Sequence, residues 1–221
     1  MKIIDMSTWE RKSHFSFFSG IDLPHFSVCF DLDVTTARGF AKEHGVKIFS
    51  LMLFLASYAA NQIPEMKTRI RDGQVVEHDC VHPAFTIMGK NNVFNFCRAR
   101  FNRDSRIFFQ EVDENTEINK QAEELILGDF GQDDEVYMTS LPWIKFTSVQ
   151  HPALLNNNDS VPRLTWGRFT QDGNQWVTPF SFQVHHGLAD GYHAGLFADI
   201  LQTILNSPEE YVSGSNAEAE K

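Results

Sequence analysis

The sequence predicts a two-layer α/β sandwich, a mixed β-sheet covered by helices. Three observations predict it. Stretches that alternate apolar and polar residues outnumber helical ones. Some of them join across tight-turn signals, Arg71-Asp72-Gly73-Gln74 and Gln171-Asp172-Gly173-Asn174. One helical stretch, from Ser50 to about Ile63, is apolar nearly all round, so it belongs in a core. With no internal repeat and no linker, a single domain over residues 1–211 is the simplest division. The small, polar residues 212–221 read as a disordered tail.

Composition narrows the function. The chain has 221 residues, 42% hydrophobic with 20 Phe, enough to fill a large core. A net charge of −10 argues against a nucleic-acid partner. The longest apolar run, Leu51 to Ala60, is too short to span a bilayer, and residues 1–10 lack the apolar core of a signal peptide. A soluble cytoplasmic protein without a membrane partner is expected. Cys29, Cys80 and Cys97 form neither a disulfide framework nor a metal motif. Of the nine histidines only His185, His186 and His193 cluster, without the HExxH spacing, so no metal is expected.

The elements follow in order. Trp9 to Phe15 reads as a loop with an aromatic anchor beside a short helix. Phe26, Val28, Phe30 and Leu32 alternate with polar neighbours and Cys29, a half-buried strand. Asp33 to Thr36 offer N-caps for a helix reaching His44, with Gly45 just past its end. Ser50 can cap the buried helix, and Pro64 lies beyond it. The Asp72-Gly73 turn joins two strands, the second near 74–78. Residues 84–88 and 93–101 read as further strands, and a helix runs from Ser105 towards Leu127. The acid-rich stretch from Glu111 to Glu135 reads as a solvated helix face and loop. A strand over 136–147 carries Thr139-Ser140-Leu141-Pro142-Trp143. Its Pro cannot donate to a ladder, which suggests an edge or a bulge. Strands over 163–169 and 175–186 precede a last helix carrying Phe197, Ile200, Leu201, Ile204 and Leu205, ended by Pro208.

Between those last two elements lies Gln183-Val184-His185-His186-Gly187-Leu188-Ala189-Asp190-Gly191. Trp176, Phe180, Phe182, Val184 and His186 share one parity, so a strand puts His186 on the apolar side and His185 on the other. Asp190 stands at the N-cap of the last helix. A partly desolvated imidazole at a strand end is a candidate general base. Position alone favours a structural histidine. The pattern His-His-x-x-x-Asp-Gly changes that reading.

That pattern resembles the signature of the coenzyme A-dependent acyltransferases. Gln-Val-His-His with Asp-Gly-Tyr-His is most similar to the chloramphenicol acetyltransferase family. The start, Trp9-Glu10-Arg11-Lys12-Ser13-His14-Phe15, resembles that family's Trp-x-Arg-Arg-x-His-Phe. Thr139-Ser140-Leu141-Pro142-Trp143 resembles its Ser-Ala-Leu-Pro-Trp. The resemblance runs from about Met6 to Pro208 and implies a chloramphenicol acetyltransferase-like sandwich. It implies His186 as the base, its ring oriented by its own backbone carbonyl. It implies Thr139, where the family has Ser, as the oxyanion donor, and a structural pair of Arg11 with Asp190. It places Phe17, Phe18, His25, Val149, His151 and Thr165 around the acceptor. Several of these drift: Phe18 lacks a family hydroxyl, and Val149 and His151 replace an aromatic and an aliphatic residue. Lys47 and Arg168 match basic positions near the phosphate of coenzyme A. Acetyl-CoA is implied as a substrate, and a homotrimer with active sites between subunits as the assembly.

The resulting expectation is O-acetylation of a small molecule, with chloramphenicol the leading acceptor. Asp190 as the acid of a catalytic triad is disfavoured, because a helix-capping Asp points into its own turn. Ser140 and Ser181 lack the Gly-x-Ser-x-Gly elbow of a nucleophile. Three alternatives stand beside it. A dihydrolipoamide acyltransferase core usually carries lipoyl domains on long linkers, absent from this sequence. A condensation domain needs about twice the length. A non-catalytic binder of small ligands would have no need of an intact His186, Asp190, Arg11 and Thr139.

Overall fold

The structure, a computed structural model, describes residues 1–125, 127, 130–154 and 159–213. Its main sheet holds β2 (His25–Asp33), β5 (His82–Met88), β6 (Phe94–Arg98), β7 (Glu135–Leu141), β8 (Arg163–Gly167), β9 (Thr170–Asp172) and β10 (Gln175–His185). The strand order is β2-β10-β8-β7-β5-β6, with β9 paired to β10. β7 runs parallel to both β5 and β8, and the other pairs are antiparallel. The sheet is therefore mixed, as expected.

Helices α2 (Thr35–Glu43), α3 (Ile48–Gln62), α4 (Ser105–Lys120) and α5 (Gly191–Asn206) pack on one face. α3 is central: Leu51 to Ala56 are all 0% exposed and meet Phe85, Met138, Leu164, Phe180 and Phe182 in one core. Along β10, Phe180, Phe182 and Val184 face this core, while Ser181, Gln183 and His185 face the opposite side. Among the described residues no helix is long and apolar enough to cross a membrane. The three cysteines are free thiols.

Several expectations need correction. α3 starts at Ile48, not Ser50: Ser50 lies buried inside it, and Lys47 takes the N-cap without a side-chain bond. Burial of the whole helix outweighs the capping preference. The Asp72-Gly73 turn is real, with φ of 52° and 76°, the pair of positive values a tight hairpin requires. Its strands, β3 (Thr68–Arg71) and β4 (Gln74–Glu77), instead join β1 (Lys2–Ile3) in a separate three-stranded sheet. β7 is no edge, since it has a neighbour on both sides. It ends at Leu141, so Pro142 sits just past the ladder, where its missing N–H leaves no gap. α4 stops at Lys120 instead of reaching Leu127. Val212 is buried in the core and Ser213 N–H donates to Ser105 Oγ at 2.9 Å, so the packed chain passes the expected boundary at 211. The rest of the expected tail, 214–221, lies outside the described residues.

The sheet face away from the helices is partly covered by the chain between β7 and β8. A side chain at Gly167 would meet Pro179 Cγ at 2.6 Å and the Ile144 carbonyl at 3.0 Å, so only glycine lets this segment close on β8.

Candidate active site

β10 ends at His185, and the chain turns sharply at His186. His185 O accepts from both Leu188 N–H (2.9 Å) and Ala189 N–H (3.1 Å). A Cβ on Gly187 would sit 3.1 Å from the His185 ring and 3.2 Å from Phe15 Cα, so the turn is close-packed. His186 N–H donates to Pro24 O at 2.7 Å, tying the turn to the start of β2.

The His186 ring lies between two aromatic faces. Phe18, from α1 (Lys12–Phe18), stacks at 4.3 Å, and Phe26 of β2 at 4.8 Å. Its Nδ1 lies 3.2 Å from Ala189 O. A carbonyl only accepts, so Nδ1 carries a proton, and in the neutral ring Nε2 holds the lone pair. The partner is not the residue's own carbonyl, as the resemblance implied. That carbonyl accepts from Arg11 Nη2 at 3.3 Å, and the turn delivers Ala189 O instead.

Arg11 and Asp190 pair as expected, Nη1 to Oδ2 at 2.7 Å. Asp190 Oδ1 also accepts from Tyr192 N–H at 3.0 Å, capping α5. Burial opposes ionisation of Asp190, but the Arg11 and His193 partners outweigh it and hold its pKa near about 2. His193 reaches Asp190 Oδ1 with Nδ1 at 2.9 Å, and Glu65 Oε1 with Nε2 at 3.5 Å. Burial alone would lower the His193 pKa; the two carboxylates reverse that and raise it.

A depressed carboxylate pKa stabilises the fold above its unfolded value, near 3.8, and that contribution is lost as pH falls through about 2. With 28% of the Asp190 side chain exposed, solvent screening reduces the term to about 1–2 kcal/mol. Asp190→Asn should therefore lower the urea midpoint at pH 7 and flatten its fall between pH 5 and 2. A variant with unchanged stability but no turnover would move Asp190 from support into the chemistry.

His185 lies on the opposite side of the strand, 1% exposed, with its ring edge towards His25. Its Nδ1 accepts Gly187 N–H at 3.1 Å, bracing the turn. Burial, helped by His25, pushes its pKa down to about 4, so it is neutral at pH 7.

Thr139 stands elsewhere. Across β7, β8 and β10 the register places Thr139, Thr165 and Ser181 in one row. His186 is five residues beyond Ser181. At ordinary strand spacings it lies about 17 Å along and about 10 Å across from Thr139. One chain does not bring the two together. Thr139 opens onto an apolar hollow of about 440 Å³ with Phe94, Phe96, Phe130, Tyr137 and His151.

A second hollow, of about 350 Å³, is lined by His25, Val149, His151 and Gln183. His151 borders both hollows, and its Nε2 lies 2.7 Å from Thr165 Oγ1. Arg163 grips both oxygens of Asp159 at 2.7 and 2.8 Å and approaches His25 Nε2 at 3.4 Å. Of the expected acceptor residues, His25, Val149 and His151 thus gather around one hollow, with Thr165 behind His151. Phe18 belongs to the His186 sandwich, and Phe17 is 68% exposed. Lys47 is exposed and pairs with Asp113 at 2.9 Å; Arg168 is exposed just after β8. Neither lines the two hollows.

A family profile described as chloramphenicol acetyltransferase matches residues 1–202. The chain belongs to the chloramphenicol acetyltransferase family. It is 30% identical over 205 residues to chloramphenicol acetyltransferase 2 of Escherichia coli, covering 92% of this chain and 96% of that one. It is 29% identical over 212 residues to chloramphenicol acetyltransferase 2 of Haemophilus influenzae, with the same coverage. A solved chloramphenicol acetyltransferase superposes with a TM-score of 0.83 at 29% identity, over 92% of this chain and 99% of the other. The chain is therefore an acyltransferase of a family that draws acetyl from acetyl-CoA.

Sequence reasoning missed several members of the His186 surroundings. Phe26 was legible as a strand residue but not as a ring stacked on His186. His193 falls three residues after the N-cap, the position that closes a capping box, and that signal was available. Glu65 gave none, because its partner is far away in sequence.

Proposed function

We propose that this chain transfers acetyl from acetyl-CoA to a hydroxyl of a small molecule, chloramphenicol being the leading acceptor, by direct attack with His186 as general base. The observation that carries this reading is the state of His186. Its Nδ1–H is tied to Ala189 O and its ring is held between Phe18 and Phe26, so Nε2 offers a fixed lone pair. Nε2 takes the acceptor's hydroxyl proton as that oxygen attacks the thioester carbonyl carbon. The oxyanion so formed accepts a hydrogen bond from a Thr139 hydroxyl. Collapse breaks the carbon–sulfur bond, and the imidazolium returns the proton to the thiolate. Asp190 and Arg11 hold the turn and take no part in proton transfer.

The assembly we propose is a homotrimer in which Thr139 of one subunit meets His186 of the next. The distance between them within a chain supports this. The acceptor lies against His25, Val149, His151 and Thr165 on one side and Phe17 and Phe18 on the other. Lys47 and Arg168 are the proposed partners of the coenzyme A phosphate, Lys47 exchanging Asp113 for it.

Thiol release from acetyl-CoA tests the reading. Chloramphenicol should stimulate it, with a raised KM, because a lost pocket contact costs about 1–3 kcal/mol and several positions have drifted. One observation favours another acceptor: His25, Gln150, His151 and Gln183 make the wall of one hollow more polar than an aromatic acceptor needs. Turnover on a different alcohol, with none on millimolar chloramphenicol, would replace the acceptor and keep the reaction class.

A further inference from the structure

We infer that Glu65 and His193 are positioning residues for the base, forming the far end of a chain of contacts that fixes the 186–190 turn. The inference rests on the reading of His186 as general base. The contacts run in one line. Glu65 Oε1 meets His193 Nε2 at 3.5 Å, His193 Nδ1 meets Asp190 Oδ1 at 2.9 Å, and Asp190 Oδ2 meets Arg11 Nη1 at 2.7 Å. Arg11 Nη2 ends the line on His186 O at 3.3 Å. Charge alternates along it, and four separate segments contribute: the Pro64–Lys67 turn, the start of α5, the residues before α1, and the end of β10.

His193 is the pivot, with a side chain only 9% exposed. Its Nδ1 has two possible partners. As a cation it donates to Asp190 Oδ1; as a neutral ring protonated on Nε2 it accepts Asp190 N–H, 3.2 Å away. Glu65 favours a proton on Nε2 in both states. The protonation of His193 therefore decides whether the Asp190 carboxylate has one cationic partner or two. The ionisable groups facing it are Glu65 from the 64–67 turn, Asp190 from its own N-cap and, beyond Asp190, Arg11; Tyr192 presents its ring edge. Since its pKa is raised, the cation persists below that pKa and is lost as pH rises through it. Only then does Asp190 depend on Arg11 alone.

The test uses the whole protein with Glu65→Gln and His193→Gln, beside His186→Ala. Both positioning variants should lose roughly ten- to hundredfold in kcat, the scale of a misplaced catalytic group. KM for either substrate should stay within about twofold, since no binding contact is removed. The wild-type kcat should fall on the alkaline side as His193 deprotonates, and that limb should vanish in His193→Gln. The ring resonances of His193 should titrate lower in Glu65→Gln than in the wild type, as a neighbouring opposite charge is lost. Unchanged kcat in Glu65→Gln, or a loss that only tracks the folded fraction, overturns the inference. If His186→Ala keeps wild-type turnover, the base assignment falls instead, and the His193 titration still decides whether Glu65 governs its charge.

Discussion

Replacing His186 with Ala should lower kcat by at least roughly 10²–10⁴-fold, the contribution of a positioned general base, while the chain stays folded. The ring is partly exposed and its hydrogen bond goes to Ala189 O, so its removal leaves the turn's backbone bonds in place. His185 should behave in the opposite way. It is 1% exposed and braces Gly187, so His185→Ala should unfold at lower temperature and lose far less turnover per folded molecule than His186→Ala. Steady-state kinetics beside thermal melts separate the two. Loss of turnover in His185→Ala with retention in His186→Ala would reverse the assignment.

The second large effect concerns Thr139. Thr139→Val should cost about 10²–10³ in kcat, the scale of a lost oxyanion donor, and Thr139→Ser little. The more telling result comes from mixing. Chains carrying only His186→Ala and chains carrying only Thr139→Val should each be nearly inactive. Denatured together in equal amounts and refolded, they should regain about a quarter of the wild-type sites, because a site between two subunits draws each residue from a different chain at random. No recovery, with oligomers formed, would mean that both residues come from one chain. That would require a rearrangement bridging the separation set by the β7-β8-β10 register.

The features legible in the sequence were those set locally. Asp190 reads as an N-cap because the rule involves only the next few residues, and its side chain does accept from Tyr192 N–H. Asp72-Gly73 reads as a hairpin turn because the positive φ values depend on those two residues alone. The buried helix declared itself by apolar residues on every side. What stayed hidden was long-range. Nothing local says that β3 and β4 leave the main sheet to pair with β1, or that β7 has parallel neighbours on both flanks. The Arg11–Asp190 pair was reached through the resemblance, because 179 residues separate the partners. The bond from His186 to Ala189 O depends on how tightly the turn closes. Glu65 and Asp159 look like ordinary surface acids until the fold brings His193 and Arg163 to them.

In the proposed assembly, the separation of His186 from Thr139 has a consequence for how the chains join. The two half-sites are different patches, so the proposed contact is head-to-tail, not a symmetric handshake. A pair of chains would hold one complete site and leave two orphan halves. Only a closed ring has as many working sites as chains. In such a ring, one chain defective at both positions disables the sites on either side of it. The proportion of defective chains therefore understates the loss of activity, and a single faulty copy acts on its neighbours.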